Sequence, residues 1–184
     1  RFVFAGRQEP RKGLQVLLRA WPEVRRRTGA RLRIAGADPL AVRLLLTRLR
    51  VPDDGIDVLG FLSQDDLTAE LTAAKALVAP SLGGESFGMV LTRAFACATP
   101  VVASDIEGYR DVMTAETSVA VPPGHADALA EAMVALVEDE PRRLALAAAA
   151  RELAIDRYSW DDIGRRLLGI YESVAGVTPV EVAA

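Results

Sequence analysis

Short apolar runs closed by glycine or a polar residue, each followed by a stretch of helical periodicity, recur along the 184-residue chain. The first run, Phe2 to Ala5, ends at Gly6 and shows no polar alternation, the pattern of a strand buried on both faces. Leu14, Leu17, Leu18 and Trp21 then fall at i, i+3, i+4 and i+7, on one face of a helix. Leu32 to Ala35, closed by Gly36, opens a second unit whose helix carries Val42, Leu45, Leu46 and Leu49. Asp57 to Leu59 is a third strand, ended by Gly60. Ser63, with Asp66 three residues on, has the form of a capping box before a helix bearing Leu67 and Leu71. Further strands are expected at Ala76 to Ala79, Pro100 to Ala103 and Ser118 to Val121, with a helix entered at Met89 and a short one near Tyr109 to Met113. Strands alternating with helices make parallel pairing with right-handed crossovers the economical topology. The expected fold is a doubly wound α/β domain, a mostly parallel sheet with helices on both faces.

The C-terminal third is helical in character. Leu129, Met133, Leu136 and Val137 mark one helix, and Pro141 can start an Ala-rich one running through Leu153. Ser159 and Asp162 repeat the capping pattern ahead of a final helix with Ile163, Leu167, Ile170, Tyr171 and Val174 along one face, which must pack on something. A domain over residues 1–176 with a frayed tail over 177–184 is expected.

With 51% hydrophobic residues the chain can bury one sizeable core, and no linker divides it. A net charge of −3 argues against a general nucleic-acid surface. The single cysteine, Cys97, forms no internal disulfide and cannot anchor a metal alone. No apolar stretch reaches the roughly 18 residues of a membrane span, and no signal-peptide pattern opens the chain, so a cytoplasmic setting is expected. The chain begins at Arg1, with no initiator Met and an apolar run from its second residue, which reads as a fragment of a longer protein.

Two loops carry the candidate chemistry. The first, GRQEPRKG, sets Arg7, Arg11 and Lys12 between a strand end and a helix start, where cations beside the positive end of a helix suit a diphosphate. Lys12 is one of only two lysines, the other being Lys75. The plainer reading is a solvated basic loop; the glycine spacing is not that of a Walker loop. The second loop lies in PSLGGESFGMVLTRAFACATPVVASD, Pro80 to Asp105, and supplies Glu85, Ser86, Phe87 and Gly88. A carboxylate there accepts hydrogen bonds from sugar hydroxyls, while backbone N–H groups behind it hold phosphate oxygens; the plainer reading is an acidic N-cap. Loops at the carboxyl ends of neighbouring parallel strands face one crevice. His125 falls in a surface loop, Cys97 on an apolar helix face, and no spaced carboxylate pair supports glycoside hydrolysis.

GRxxxxKG, GxLSxxDL, PSxxGESFGMVL, ACxTPVVASD and RYSW, in that order, resemble the C-terminal domain of the group-1 family of retaining glycosyltransferases with the GT-B fold. PRKG, LGGESFG and IYESVAG look closest to the actinobacterial phosphatidylinositol mannosyltransferases, which use GDP-mannose. The resemblance implies one Rossmann-like half of a GT-B fold plus a C-terminal helical segment. It implies a nucleoside-diphosphate sugar donor, transfer of a hexose with retention to a phosphatidylinositol-type glycolipid, and no essential metal or cofactor. The acceptor-binding N-terminal domain is absent from this chain; through it the protein would sit at the inner face of the membrane, and alone this chain is expected to be inactive.

Carried over by position, Arg7 and Lys12 match the pair that clamps the donor diphosphate, with Arg11 beside them. Glu85 matches the acid that bonds hydroxyls of the transferred sugar. Leu62 and Gln64 fall where the nucleotide base is met. Phe87, Gly88, Met89 and Val90, next to Ser86, match the backbone that meets sugar and phosphate. Ala98 stands where glycine is frequent. One position departs more sharply: eight residues after Glu85, where the family commonly holds the ribose hydroxyls with a second glutamate, stands Arg93. A guanidinium has no acceptor for those protons. The departure leaves a second expectation open, a non-catalytic nucleotide-binding or regulatory domain.

Overall fold

The computed structural model describes residues 1–175, so the expected tail at 177–184 lies outside the described residues. In chain order the elements are β1 (Phe2–Ala5), α1 (Leu14–Thr28), β2 (Leu32–Ala35), α2 (Pro39–Leu49), β3 (Ile56–Gly60), α3 (Gln64–Thr72) and β4 (Ala76–Ala79). They continue with α4 (Met89–Ala96), β5 (Val101–Ser104), α5 (Glu107–Arg110), β6 (Ser118–Val121), α6 (Ala126–Glu138), α7 (Glu140–Tyr158) and α8 (Trp160–Ala175). The strands form one sheet of order β3-β2-β1-β4-β5-β6, every neighbouring pair parallel. From β1 the chain winds outward through β2 and β3, then returns to β4 and winds the other way. Loops after β1 and β4 therefore part to opposite faces and leave a crevice at the carboxyl edge between them.

The two faces have separate cores, because successive strand residues point to opposite sides. Phe2 and Phe4 of β1 join Leu14, Leu17, Leu18 and Trp21 of α1, Val42 of α2 and Met133 of α6. Val3, between them, joins Leu77 of β4, Leu91 and Phe95 of α4, Tyr109 of α5 and Ala150 of α7 on the other side. The apolar stripe expected on α1 is buried throughout, and Trp21 Nε1 donates to the Asp54 carbonyl at 2.8 Å.

Both capping patterns form. Ser63 Oγ accepts from Asp66 N at 3.1 Å and donates to its carboxylate at 2.6 Å; Ser159 Oγ accepts from Asp162 N at 3.2 Å. Several strand and helix ends differ from expectation by a residue or more, two of them for a visible reason. The Ala-rich helix runs past Leu153 to Tyr158, since no breaker precedes the cap of the next helix at Ser159. The short helix begins at Glu107 rather than Tyr109, where Gly108 lies so close to the Glu85 carbonyl that a Cβ would come within 1.7 Å of its oxygen.

No residue of α8 is buried, and Leu167, Leu168, Ile170, Tyr171 and Val174 are exposed. The apolar face expected to pack on something has no cover among the described residues. None of the described helices is long and apolar enough to cross a membrane.

Candidate functional site

The loops after β1 and β4 are stitched together before any side chain takes part. After a single 3-10 turn at Pro10–Lys12, Gly13 adopts φ 70°, a conformation disfavoured for residues with a Cβ, and one built there would lie 1.8 Å from the Pro80 carbonyl oxygen. Leu82 N donates to the Arg11 carbonyl at 2.7 Å. This contact aims Arg11 and Lys12 across the crevice at Glu85. Lys12 Nζ straddles the carboxylate, 2.8 Å from Oε1 and 2.9 Å from Oε2, and Arg11 Nη1 lies 2.9 Å from Oε1. The Glu85 side chain is only 10% exposed, so these charge-assisted bonds are shielded from bulk water.

Behind the carboxylate lies a relay of hydroxyls. Ser81 Oγ donates to Glu85 Oε1 at 3.2 Å and lies 2.8 Å from Tyr109 Oη. Because Ser81 has one proton to give, Tyr109 donates to it. Burial pushes the Tyr109 phenol up to about 12, which keeps that donor protonated. Neither Ser81 nor Tyr109 was identified from sequence, although Ser81 sits four residues before Glu85 in the same loop.

Arg7 does not join the group. Its Nε meets Glu9 Oε1 at 2.9 Å, its side chain is 72% exposed, and Glu9 Oε2 in turn meets Arg11 Nε at 2.7 Å. The result is a string of alternating charge, Arg7–Glu9–Arg11–Glu85–Lys12. The cations drawn up to Glu85 are therefore Arg11 and Lys12, while Arg7 is held apart by Glu9. Glu9 is bent back by a turn in which its N–H meets the Arg7 carbonyl at 2.8 Å.

Beside this string a cleft of about 1040 Å³ opens at the carboxyl ends of β1, β2 and β3. Arg7, Leu62, Gln64, Phe87, Met89, Val90 and Arg93 line it, together with Arg151, Tyr158 and Trp160 from the α7–α8 junction. Phe87 meets Tyr158 edge-on, ring centroids 5.8 Å apart. Gly88, at φ 79°, is the N-cap of α4 with no side-chain cap, so the first N–H groups of that helix are open to an anion. Glu85 and Ser86 line a smaller neighbouring cavity of about 460 Å³ with Gly108 and Asp111. Glu85 is therefore no N-cap, and its carboxylate is held by cations.

Arg93, from the second turn of α4, reaches the start of α3. It hydrogen-bonds the Gln64 side-chain oxygen, the Gln64 carbonyl at 2.5 Å and Thr68 Oγ1 at 3.1 Å. Ala98 takes up φ 52° just after α4, a conformation that suits glycine better. Cys97 is half-buried at the C-cap of α4, and His125 stands exposed at the N-cap of α6. Among the described residues no group of three or more His, Cys, Asp or Glu is placed to hold a metal ion.

Residues 1–139 match the family described as Glycosyl transferases group 1. The chain is 39% identical over 180 residues to a phosphatidyl-myo-inositol mannosyltransferase of Mycobacterium leprae, covering 94% of this chain and 46% of that protein. It is 34% identical over 174 residues to a GDP-mannose-dependent monoacylated alpha-(1-6)-phosphatidylinositol monomannoside mannosyltransferase of Corynebacterium glutamicum, covering 89% of this chain and 45% of that protein. The chain spans about half the length of these curated relatives. A glycosyltransferase from Rickettsia africae superposes with a TM-score of 0.84 at 22% identity, over 95% of this chain and 47% of its own. Anabaena HepE in complex with UDP and glucose gives 0.82 at 22% identity, over 94% and 48%. These two share the fold, the Rossmann-like half of a GT-B glycosyltransferase with its C-terminal helices. On its sequence match, its relatives and its fold together, the chain belongs to the glycosyl transferases group 1.

Proposed function

We propose that this chain is the donor-binding half of a hexosyltransferase that moves mannose from GDP-mannose to a phosphatidylinositol-type glycolipid with retention of anomeric configuration. The observation that carries this reading is Glu85, sunk between Lys12 and Arg11 where the β1 and β4 loops meet. A nearly buried carboxylate with its cations already in place is an acceptor for sugar hydroxyls. The same cations stand where a departing diphosphate accumulates negative charge. Lys12 has three N–H donors and spends two on the carboxylate, so one remains for a phosphate oxygen. Arg7, exposed and tethered only through Glu9, is free to swing onto the diphosphate. The N–H groups of α4 behind Gly88 add a helix terminus for the anion, and the segment with Leu62 and Gln64 meets the base through its backbone.

Two observations favour a partner domain from the same polypeptide. The chain spans about half of its curated relatives, and the apolar face of α8, with Leu167 and Tyr171, has no cover among the described residues. In this reading that domain binds the lipid acceptor at the inner face of the membrane, covers α8, and is required for turnover.

Calorimetric titration of the full chain with GDP, UDP and GDP-mannose tests the reading. GDP is expected to bind more tightly than UDP, by about tenfold, as a base-reading site discriminates. No binding by either nucleotide overturns it. One observation favours the second reading, a non-catalytic module: Arg93 occupies the Gln64 amide at the nucleoside end of the cleft. Failure of wild type to bind, with binding restored in Arg93→Glu, is its signature.

A further inference from the structure

The large cleft holds three arginines, Arg7, Arg93 and Arg151, and neither aspartate nor glutamate among its lining residues. Each guanidinium is tied to an acceptor of the protein: Arg7 to Glu9, Arg151 to the Ala96 carbonyl at 2.5 Å, and Arg93 to Gln64 and Thr68. Arg93 is the most constrained, because two of its nitrogens bridge α4 to the first turn of α3. A cation at a helix N-terminus is disfavoured by the helix dipole. Asp65 and Asp66 put negative charge at that same helix end, which offsets the cost, and the bridge forms a latch between the two helices.

The latch has a chemical consequence for any ligand lying between the diphosphate cations and the Leu62–Gln64 segment. A vicinal diol presents two O–H donors, and a carboxylate can accept both. Arg93 offers donors only, its Nη1 and Nη2 are already given to Gln64 and Thr68, and one of the two lone pairs of the nearby Gln64 side-chain oxygen is taken.

We propose that the Arg93–Gln64–Thr68 latch makes the nucleoside end of this cleft indifferent to the ribose diol, so that the donor nucleotide is selected by its diphosphate and base, and deoxyribose forms are accepted. This rests on the donor-site reading above. It goes beyond it by assigning Arg93 as a specificity-determining residue that withholds a contact.

The test compares GDP with 2′-deoxy-GDP and 3′-deoxy-GDP by calorimetry on the full chain. Comparing ligands on one protein cancels any effect of a substitution on folding. Wild type is expected to bind the three within about threefold of one another, whereas Arg93→Glu is expected to favour GDP by about tenfold, the worth of hydrogen bonds to a charged acceptor. Arg93→Gln, similar in length and carrying a neutral acceptor, is expected to shift the ratio in the same direction by less, and it serves where the glutamate variant fails to fold. A wild-type preference for GDP of about tenfold or more overturns the proposal while leaving the donor site standing. No binding of any of the three nucleotides overturns both.

Discussion

The two ends of the crevice are built on opposite electrostatic plans. At the β1–β4 junction, positive and negative groups alternate from Arg7 to Lys12, and each carboxylate is bracketed by two cations. At the α3–α4 rim a guanidinium faces amide and hydroxyl oxygens, with no acid in the cleft lining. The first arrangement can trade one anion for another, since its cations keep spare donors and Arg7 is held only at the surface. The second is closed on itself. In the proposed reading, anion and sugar are therefore read at the junction, and the rim serves to place the Leu62–Gln64 segment.

The sharpest way to break the contrast is to part the two loops. Gly13→Ala sets a Cβ against the Pro80 carbonyl at a positive φ, and is expected to destabilise the fold by about 3 kcal/mol or more in chemical denaturation, as backbone strain and a steric clash combine. Gly29→Ala, also at positive φ but in open space, is the control and should cost less. Next, Glu85→Gln keeps the shape of the junction and removes its charge. It is expected to weaken GDP-mannose binding by about tenfold, roughly 1.4 kcal/mol, while GDP binding changes by less than about threefold. Equal losses for both ligands would mean that Glu85 orders the cations and does not read the sugar.

Tyr109→Phe probes the relay behind Glu85 and has a distinct pH signature. At neutral pH the loss of the Ser81 bond is expected to cost about 1 kcal/mol. The folded phenol ionises at about 12, above its ordinary value of 10.0, so the fold favours the neutral form. That contribution is complete below pH 10 and is lost as pH rises towards 12, by about 2 kcal/mol there. Wild type should therefore lose its advantage over the phenylalanine variant in alkali, a crossing that urea midpoints at several pH values would reveal. The smallest effect is expected from Glu9→Gln, which releases Arg7 and Arg11. GDP affinity should rise by about threefold, with a steeper dependence on salt. A fall in affinity would assign Glu9 the role of orienting the arginines.

Much of the fold was legible because this sheet is buried on both faces. Runs such as Phe2 to Ala5 and Ala76 to Ala79 carry no polar residue, and a core on each side of the sheet uses every position. That the loops carrying Lys12 and Glu85 face one crevice was legible for a topological reason, since both follow strands that a doubly wound sheet sets side by side. What escaped depended on side-chain reach. Glu9 lay within the same eight-residue motif as Arg7, but only the turn geometry shows that it intercepts the guanidinium. The Arg93–Gln64 bond joins two helices whose relative placement no periodicity encodes. The Tyr109 relay depends on Gly108 lying against the Glu85 backbone, a contact between loops of neighbouring strands. The α8 face was legible as apolar, and its exposure became evident only from the packing of the remaining helices.

The decisive measurement is the affinity of GDP for wild type against Lys12→Ala, read by calorimetry at one salt concentration. With Lys12 as the half-buried cation of the proposed diphosphate site, the variant should bind at least about tenfold more weakly, roughly 1.4 kcal/mol, while keeping its thermal unfolding transition. An unchanged affinity would show that the diphosphate is held elsewhere and would contradict the placement of the donor at the β1–β4 junction.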